Sequence, residues 1–151
     1  MSEAIPDRVT LRVPSDPKYL PMVRAMVDQG AAVAGIGPGD RDRILLAVSE
    51  ALSNVIRHVY RDRTDRPIDL ELALTPGELR LLVTDYGRFV DPSRIVSRPL
   101  DEVRPGGLGV HLIRSTMDVV EYNLNRHGGT TLTLVKRVAS GNDPGRNDPG
   151  S

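Results

Sequence analysis

Ile68-Asp69-Leu70-Glu71-Leu72-Ala73-Leu74-Thr75-Pro76-Gly77-Glu78-Leu79-Arg80-Leu81-Leu82-Val83 is the stretch on which the architecture turns. Ile68, Leu70, Leu72 and Leu74 alternate with polar or small residues, the pattern of a strand that buries one face. Thr75-Pro76-Gly77 supplies turn chemistry, and Leu79, Leu81 and Val83 return with the same period. Strands joined this tightly pair antiparallel. Downstream, Val119-Val120-Glu121-Tyr122-Asn123-Leu124 reads as a further strand. It reverses at Arg126-His127-Gly128-Gly129 into Thr130-Thr131-Leu132-Thr133-Leu134-Val135, a second hairpin.

Upstream, Val9, Leu11 and Val13 alternate as a short first strand. Ser15-Asp16-Pro17 places a capping residue before a proline, the signature of a helix start. That helix carries Leu20, Val23, Met26 and Val27 and is expected to close near Gly35-Ile36-Gly37. Pro38-Gly39-Asp40 opens the next, with Asp40 as expected N-cap. Over residues 41–61, Ile44, Leu45, Val48, Leu52, Val55, Ile56 and Val59 recur at helical spacing. Between the hairpins lie an irregular segment, residues 91–105, a glycine-rich loop at Gly106-Gly107-Leu108-Gly109, and a short helix through Met117. The order β-α-α-β-β-loop-α-β-β is not the alternation of a doubly wound parallel sheet. It predicts an α+β fold, a two-layer α/β sandwich with helices on one face of a mixed, mostly antiparallel sheet. Residues 1–138 are expected as one domain. Residues 139–151, with a repeated Asn-Asp-Pro-Gly and almost nothing apolar to bury, are expected as a disordered tail.

Composition narrows the function. Twenty basic residues balance twenty acidic ones, so no electrostatic case exists for a nucleic acid or an anionic membrane as partner. The absence of cysteine removes disulfides, thiolate zinc sites and thiol catalysis. His58, His111 and His127 are too scattered to suggest a metal cluster. No apolar run approaches the roughly 20 residues of a membrane span. Met1-Ser2-Glu3-Ala4-Ile5-Pro6-Asp7 lacks the basic and apolar regions of a signal peptide, and a cytoplasmic location is expected.

Three places carry chemistry. The glycine-rich loop runs into a helix, whose first N–H groups and positive dipole end suit a phosphate. On a helical wheel Glu50, Asn54, Arg57 and Arg61 share a narrow face opposite Val48, Leu52, Val55 and Val59. That face is either solvated or a site, with Glu50 as a base and the Asn54 amide oxygen as a hard ligand for magnesium. Asp85 follows an apolar strand and precedes Tyr86-Gly87. It is either an ordinary turn residue or an acceptor for an exocyclic amino group such as that of adenine, which would exclude guanine. His58 and His111 could be catalytic or could pack locally. Thr130 and Thr131 fit strand propensity or a hydroxyl near a bound base.

Taken in order, Glu50-x-x-x-Asn54, Asp85-x-Gly87, Gly107-x-Gly109 and Gly129-Thr130-Thr131 resemble the ATP-binding boxes of the GHKL superfamily of gyrase, histidine kinases and MutL. Within it, Ser49-Glu50-Ala51-x-x-Asn54-x-x-x-His58-x-Tyr60, a short lid and Gly106-Gly107-Leu108-Gly109-x-x-Leu112-Ile113 resemble the small anti-sigma-factor serine kinases of bacterial partner switching. The resemblance spans roughly residues 9–137. It implies a Bergerat-type ATP-binding fold and an ATP-dependent serine protein kinase that is also an anti-sigma factor. Such a protein phosphorylates an anti-anti-sigma factor protein, sequesters a sigma factor and uses ATP with Mg2+. It works as a homodimer built chiefly from its first strand and first helix.

The resemblance also implies roles. Glu50 would be the general base and Asn54 the Mg2+ ligand. Asp85 would bind the adenine amino group, with Gly87 letting the base lie close and Thr130 beside it. Gly107, Leu108, Gly109, Val110 and His111 would surround the phosphates, largely through backbone N–H groups. Residues 91–105, with Arg94, Arg98 and Arg104, would be a lid over the nucleotide or a solvated loop. One departure stands out. The superfamily's Asp-x-Gly-x-Gly is here Asp85-Tyr86-Gly87-Arg88-Phe89, without the second glycine, which implies a differently shaped adenine pocket. The alternative from another class is an ATP-binding switch that sequesters a partner without phosphorylating it. A third is an ATPase with water as acceptor.

Overall fold

In chain order the elements are β1 (Asp7–Pro14), α1 (Leu20–Val33), α2 (Pro38–Asn54), β2 (Pro67–Thr75), β3 (Glu78–Asp85), α3 (Pro105–Thr116), β4 (Val119–Leu124) and β5 (Thr130–Arg137). The structure, a computed structural model, describes residues 7–88 and 105–138, and of residues 105–109 only the backbone. The expected lid (save Pro105) and the expected tail lie outside the described residues.

The five strands form one sheet in the order β1-β2-β3-β5-β4. Each of its four ladders is antiparallel, so the sheet expected to be mixed is wholly antiparallel among the described residues. Register aligns Leu11, Leu70, Val83, Leu132 and Tyr122 in one row across all five strands. This row faces the helices. Above it Val23 and Val27 of α1, Ile44, Val48 and Leu52 of α2, and Ile113 of α3 are fully buried. The alternation in the first hairpin therefore sorts residues as its period demands: Ile68, Leu70, Leu72 and Leu74 inward, Asp69, Glu71 and Ala73 outward. The turn between β2 and β3 is closed by Pro76-Gly77, with Gly77 at φ +86°.

Local differences from the expected elements have local causes. Asp16 does cap, its side chain accepting from the Lys18 N–H at 3.0 Å, but the turn it starts is 3-10 (Pro17–Tyr19) and α1 follows at Leu20. Gly37, not Asp40, is the N-cap of α2. Pro38 occupies the first turn, where its missing N–H costs nothing, and Asp40 lies inside that turn near the positive dipole end. The far end of this helix is not α-helical. After Asn54 the chain continues as a π turn (Val55–Val59), with the Tyr60 N–H bonded to the Val55 carbonyl at 2.9 Å. Among the described residues no helix is long and apolar enough to cross a membrane.

Candidate functional site

Asp85 closes β3 at the edge of the core and is 2% exposed. A carboxylate there must be hydrogen-bonded to be tolerated. Its Oδ1 accepts from the backbone N–H groups of Gly87 and Thr130, each at 3.2 Å. The side chain of Asn125 donates to its main-chain carbonyl at 2.9 Å. Among the described residues both of these bonds fall on the same oxygen, Oδ1. Burial pushes the Asp85 carboxyl above the usual carboxylate range, and the two N–H bonds pull it partly back.

Two glycines allow this packing. A Cβ on Gly129 would overlap the Asp85 carbonyl oxygen and lie 2.7 Å from its Oδ1; one on Gly87 would overlap Val59 and lie 3.3 Å from the Tyr60 ring. Because the obstacle at Gly129 is backbone, it cannot swing aside. Gly129→Ala is expected to lower stability by about 1–3 kcal/mol, the usual cost of overpacking. Thermal denaturation measures this, and an unchanged melting temperature would contradict the close approach.

A small cavity beside Asp85 is walled on one side by Asn54, His58 and Val59, and on the other by Asp85, Thr130 and Tyr122. Ala51, Val83 and Leu132 supply apolar lining. Thus Asn54, Asp85 and Thr130, far apart in sequence, meet around one space. Glu50 lies one helical turn before Asn54, half-buried and outside this lining. The expected face Glu50–Asn54–Arg57–Arg61 survives only in its first half. The π turn changes the rotation per residue after Asn54. His58 joins the cavity, Arg57 is exposed, and Arg61 lies past the helix in the left-handed region at φ 50°.

The glycine-rich segment is helical rather than a loop. Gly106, Gly107, Leu108 and Gly109 form the first turns of α3, which begins at Pro105. Val110 and Ile113 are buried and His111 is exposed. In a helix with this start the intrahelical bonds begin at the Leu108 N–H. Of the described residues, Gly106 and Gly107 then present N–H groups at the helix mouth, while those of Leu108, Gly109, Val110 and His111 fall within the helical ladder. Gly107 of the expected set therefore stands at the mouth, and Leu108, Gly109, Val110 and His111 follow it into the helix. Four residues at the site had no expected role: Tyr60, Tyr122, Asn125 and Gly129. Asn125 sits just before the Gly128-Gly129 turn, and its side chain accepts from the His127 and Gly129 N–H groups, a turn role typical of asparagine.

Among the described residues no three or more His, Cys, Asp or Glu side chains are grouped so as to hold a metal ion. The Asn54 amide at the cavity wall is a neutral hard-oxygen donor, of the kind Mg2+ accepts while taking most of its shell from phosphate oxygens and water.

Comparison with known proteins follows the same line. The model for the histidine kinase-like ATPase domain matches residues 13–136. The chain is 27% identical over 138 residues to the serine-protein kinase RsbW of Bacillus velezensis, covering 86% of this chain and 85% of that protein. It is 25% identical to RsbW of Bacillus subtilis over the same shares, and 27% identical over 141 residues to that of Oceanobacillus iheyensis, covering 88% of each. Among solved structures, the RsbU and RsbW domains of a Mycobacterium tuberculosis protein superpose with a TM-score of 0.63 at 22% identity. The match covers 89% of this chain but 33% of that longer one. The SiaB–SiaC complex from Pseudomonas aeruginosa gives 0.60 at 11% identity, covering 86% of this chain and 88% of the matched one. Both share the fold. With its α+β sandwich, its buried strand-end carboxylate and a family match across most of its length, this chain belongs to the histidine kinase-like ATPase domain family.

Proposed function

We propose that this protein is an ATP-dependent serine protein kinase and anti-sigma factor. It phosphorylates an anti-anti-sigma protein on serine and, in the alternative complex, holds a sigma factor. The observation that carries the reading is the convergence of Asn54, Asp85 and Thr130 on one cavity, with Glu50 one turn away on the same helix. The naming of its relatives as serine-protein kinases supports it.

Each residue then has a task. Asp85 Oδ2 accepts from the exocyclic amino group of adenine. Gly87 and Gly129, lacking side chains, keep the surroundings of that carboxylate tight, and Tyr122 forms an aromatic wall. Asn54 would hold Mg2+ through its amide oxygen, and the bound ion would supply neutralisation of phosphate charge. The N–H groups at the start of α3 receive phosphate oxygens. Glu50 takes the proton of the attacking serine hydroxyl as that oxygen bonds to the γ-phosphorus and ADP leaves. Positioning and charge compensation supply most of the catalysis, as in phosphoryl transfer generally.

Incubation with labelled ATP, Mg2+ and the anti-anti-sigma protein encoded nearby is the test. Label on a serine of that protein is expected. Free phosphate without transfer would instead indicate an ATPase, and ATP binding without either product a non-catalytic switch.

We also propose a homodimer through β1 and α1. The core takes Val23, Val27 and Ala31 from α1 and leaves Met22 56% exposed, while Met26 is half-buried. Met22 is therefore the residue at which to introduce a charge. Light scattering of the wild type is expected to give about twice 16.5 kDa, since a symmetric pair is the commonest oligomer. Met22→Glu is expected to give folded monomers. A wild-type mass of one chain would refute the dimer.

A further inference from the structure

We infer that Tyr60 is a positioning residue for adenine recognition, acting through the Asp85-Tyr86-Gly87 turn. The inference rests on the nucleotide site proposed above. The Tyr60 side chain is 6% exposed, and its hydroxyl makes two hydrogen bonds. It donates to the Pro67 carbonyl at 2.6 Å and accepts from the Tyr86 N–H at 2.8 Å.

These two partners sit where the sheet stops. The last pair of the β2–β3 ladder is Ile68 with Asp85, and one step further Pro67 and Tyr86 would face each other. Proline has no N–H to donate, and the N–H of Tyr86 points to the hydroxyl instead of to the opposite carbonyl. The phenolic oxygen thus stands in the place of a ladder hydrogen bond, bridging the two strands beside Asp85. Burial pushes the Tyr60 phenol above its usual value, so the hydroxyl remains a donor at neutral pH. Its ring also lies against Gly87, the residue whose N–H holds Asp85 Oδ1. One side chain therefore touches the turn on both sides of Tyr86.

The other face of the sheet holds the same residue differently. The Tyr86 hydroxyl donates to Asp69, whose carboxylate is paired with the Arg12 guanidinium at 2.6 and 2.8 Å. Asp69 and Arg12 hold the Tyr86 side chain, and Tyr60 holds its main chain.

Tyr60 reaches this place because of the π turn. Its own N–H bonds to Val55, the Asp62 N–H bonds to the Ile56 carbonyl at 2.8 Å, and Arg61 and Asp62 follow at φ 50° and 64°. Two consecutive left-handed residues that are not glycine are costly, and such strain persists only where surrounding contacts impose it. The turn that opens at the proposed Mg2+ ligand Asn54 closes at the residue that fixes the adenine acceptor. A single five-residue element thus spaces the two ends of the nucleotide site.

Tyr60→Phe removes one oxygen and keeps the ring. It is expected to weaken ATP binding about tenfold, the loss of a well-made hydrogen bond in the recognition turn. GTP binding should change little, so the preference for ATP narrows, and the kinetic loss should fall on KM for ATP rather than on kcat. Because Tyr60 acts through Asp85, the double variant Tyr60→Phe/Asp85→Asn should bind ATP no more weakly than Asp85→Asn alone. Titration calorimetry of the four proteins, well below their melting temperatures, decides. A wild type that fails to bind ATP overturns the nucleotide site itself. A wild type that binds, with Asp85→Asn weakened but Tyr60→Phe unchanged, overturns the role of Tyr60 alone. A Tyr60→Phe protein that only melts earlier, with its ATP-to-GTP ratio intact, does the same. Should Tyr60→Phe not fold, 3-fluorotyrosine at position 60 weakens the hydroxyl as an acceptor without changing its shape. Reduced ATP affinity is then expected, and unchanged affinity refutes the inference.

Discussion

Asp85→Asn is expected to bind ATP between about 10- and 100-fold more weakly, the range for losing a charge-assisted hydrogen bond. It should gain affinity for GTP and melt at a higher temperature. The amide can keep its oxygen toward the N–H groups of Gly87 and Thr130, so the local backbone has no reason to move. What changes is the outward atom, where an acceptor becomes an NH2 donor. Two donors then face each other when adenine is bound, whereas the carbonyl at the same position of guanine finds a partner. Sites that discriminate by polar complementarity gain most of their selectivity from such mismatches.

The stability gain follows from the raised Asp85 carboxyl. A folded-state pKa above the unfolded value means that folding disfavours the charged form, so above that pKa the charge is a cost. Asparagine removes this cost at neutral pH. As the pH falls through the raised folded-state value, Asp85 takes up a proton and its charge penalty disappears. The difference in melting temperature should therefore be largest near neutrality and shrink in acid. Calorimetry with both nucleotides and melting curves at several pH values test the two halves separately. An unchanged ATP-to-GTP preference would remove Asp85 from base recognition.

Glu50→Ala is expected to slow phosphoryl transfer by about 10²–10⁴-fold, the usual contribution of a general base, while ATP affinity stays within about twofold of wild type. Glu50 lies outside the cavity lining that contains Asn54, Asp85 and Thr130, and on the proposed mechanism its loss would remove a group serving the acceptor rather than the nucleotide. Asn54→Ala should differ in kind. Losing the amide oxygen proposed to hold Mg2+ should weaken Mg2+-dependent ATP binding and transfer together. Single-turnover transfer, paired with titration in the presence and absence of Mg2+, separates the two. Wild-type transfer by Glu50→Ala would exclude it as the base.

What could be read in advance follows from how local each signal is. The alternation of Ile68 to Leu74 and its return at Leu79 to Val83 encode strand, face and turn within sixteen residues, and the sheet obeys them. Asp85 was legible as a candidate acceptor because a carboxylate ending an apolar strand needs partners. The α2 N-cap lies three residues before Asp40, at Gly37, because Pro38 suits the first helical position and Asp40 falls inside the first turn. At Gly106 to Gly109, four residues with three glycines read as a loop, yet Pro105 starts a helix there and Val110 and Ile113 bury its next turn. Tertiary packing outweighs the glycine penalty.

Strand and helix order, the inward faces and the strand-end position of Asp85 are legible along the chain, because these depend on residues a few places apart. Which polar groups meet is set by packing between elements distant in the chain. The π turn after Asn54 rests on one choice of backbone acceptor, Val55 rather than Ile56 for the Tyr60 N–H, and no glycine or proline between Val55 and Val59 announces it. That choice puts His58 in the cavity in place of Arg57. It also sends the Tyr60 hydroxyl to partners 7 and 26 residues away, a pairing set by packed geometry and not by spacing along the chain.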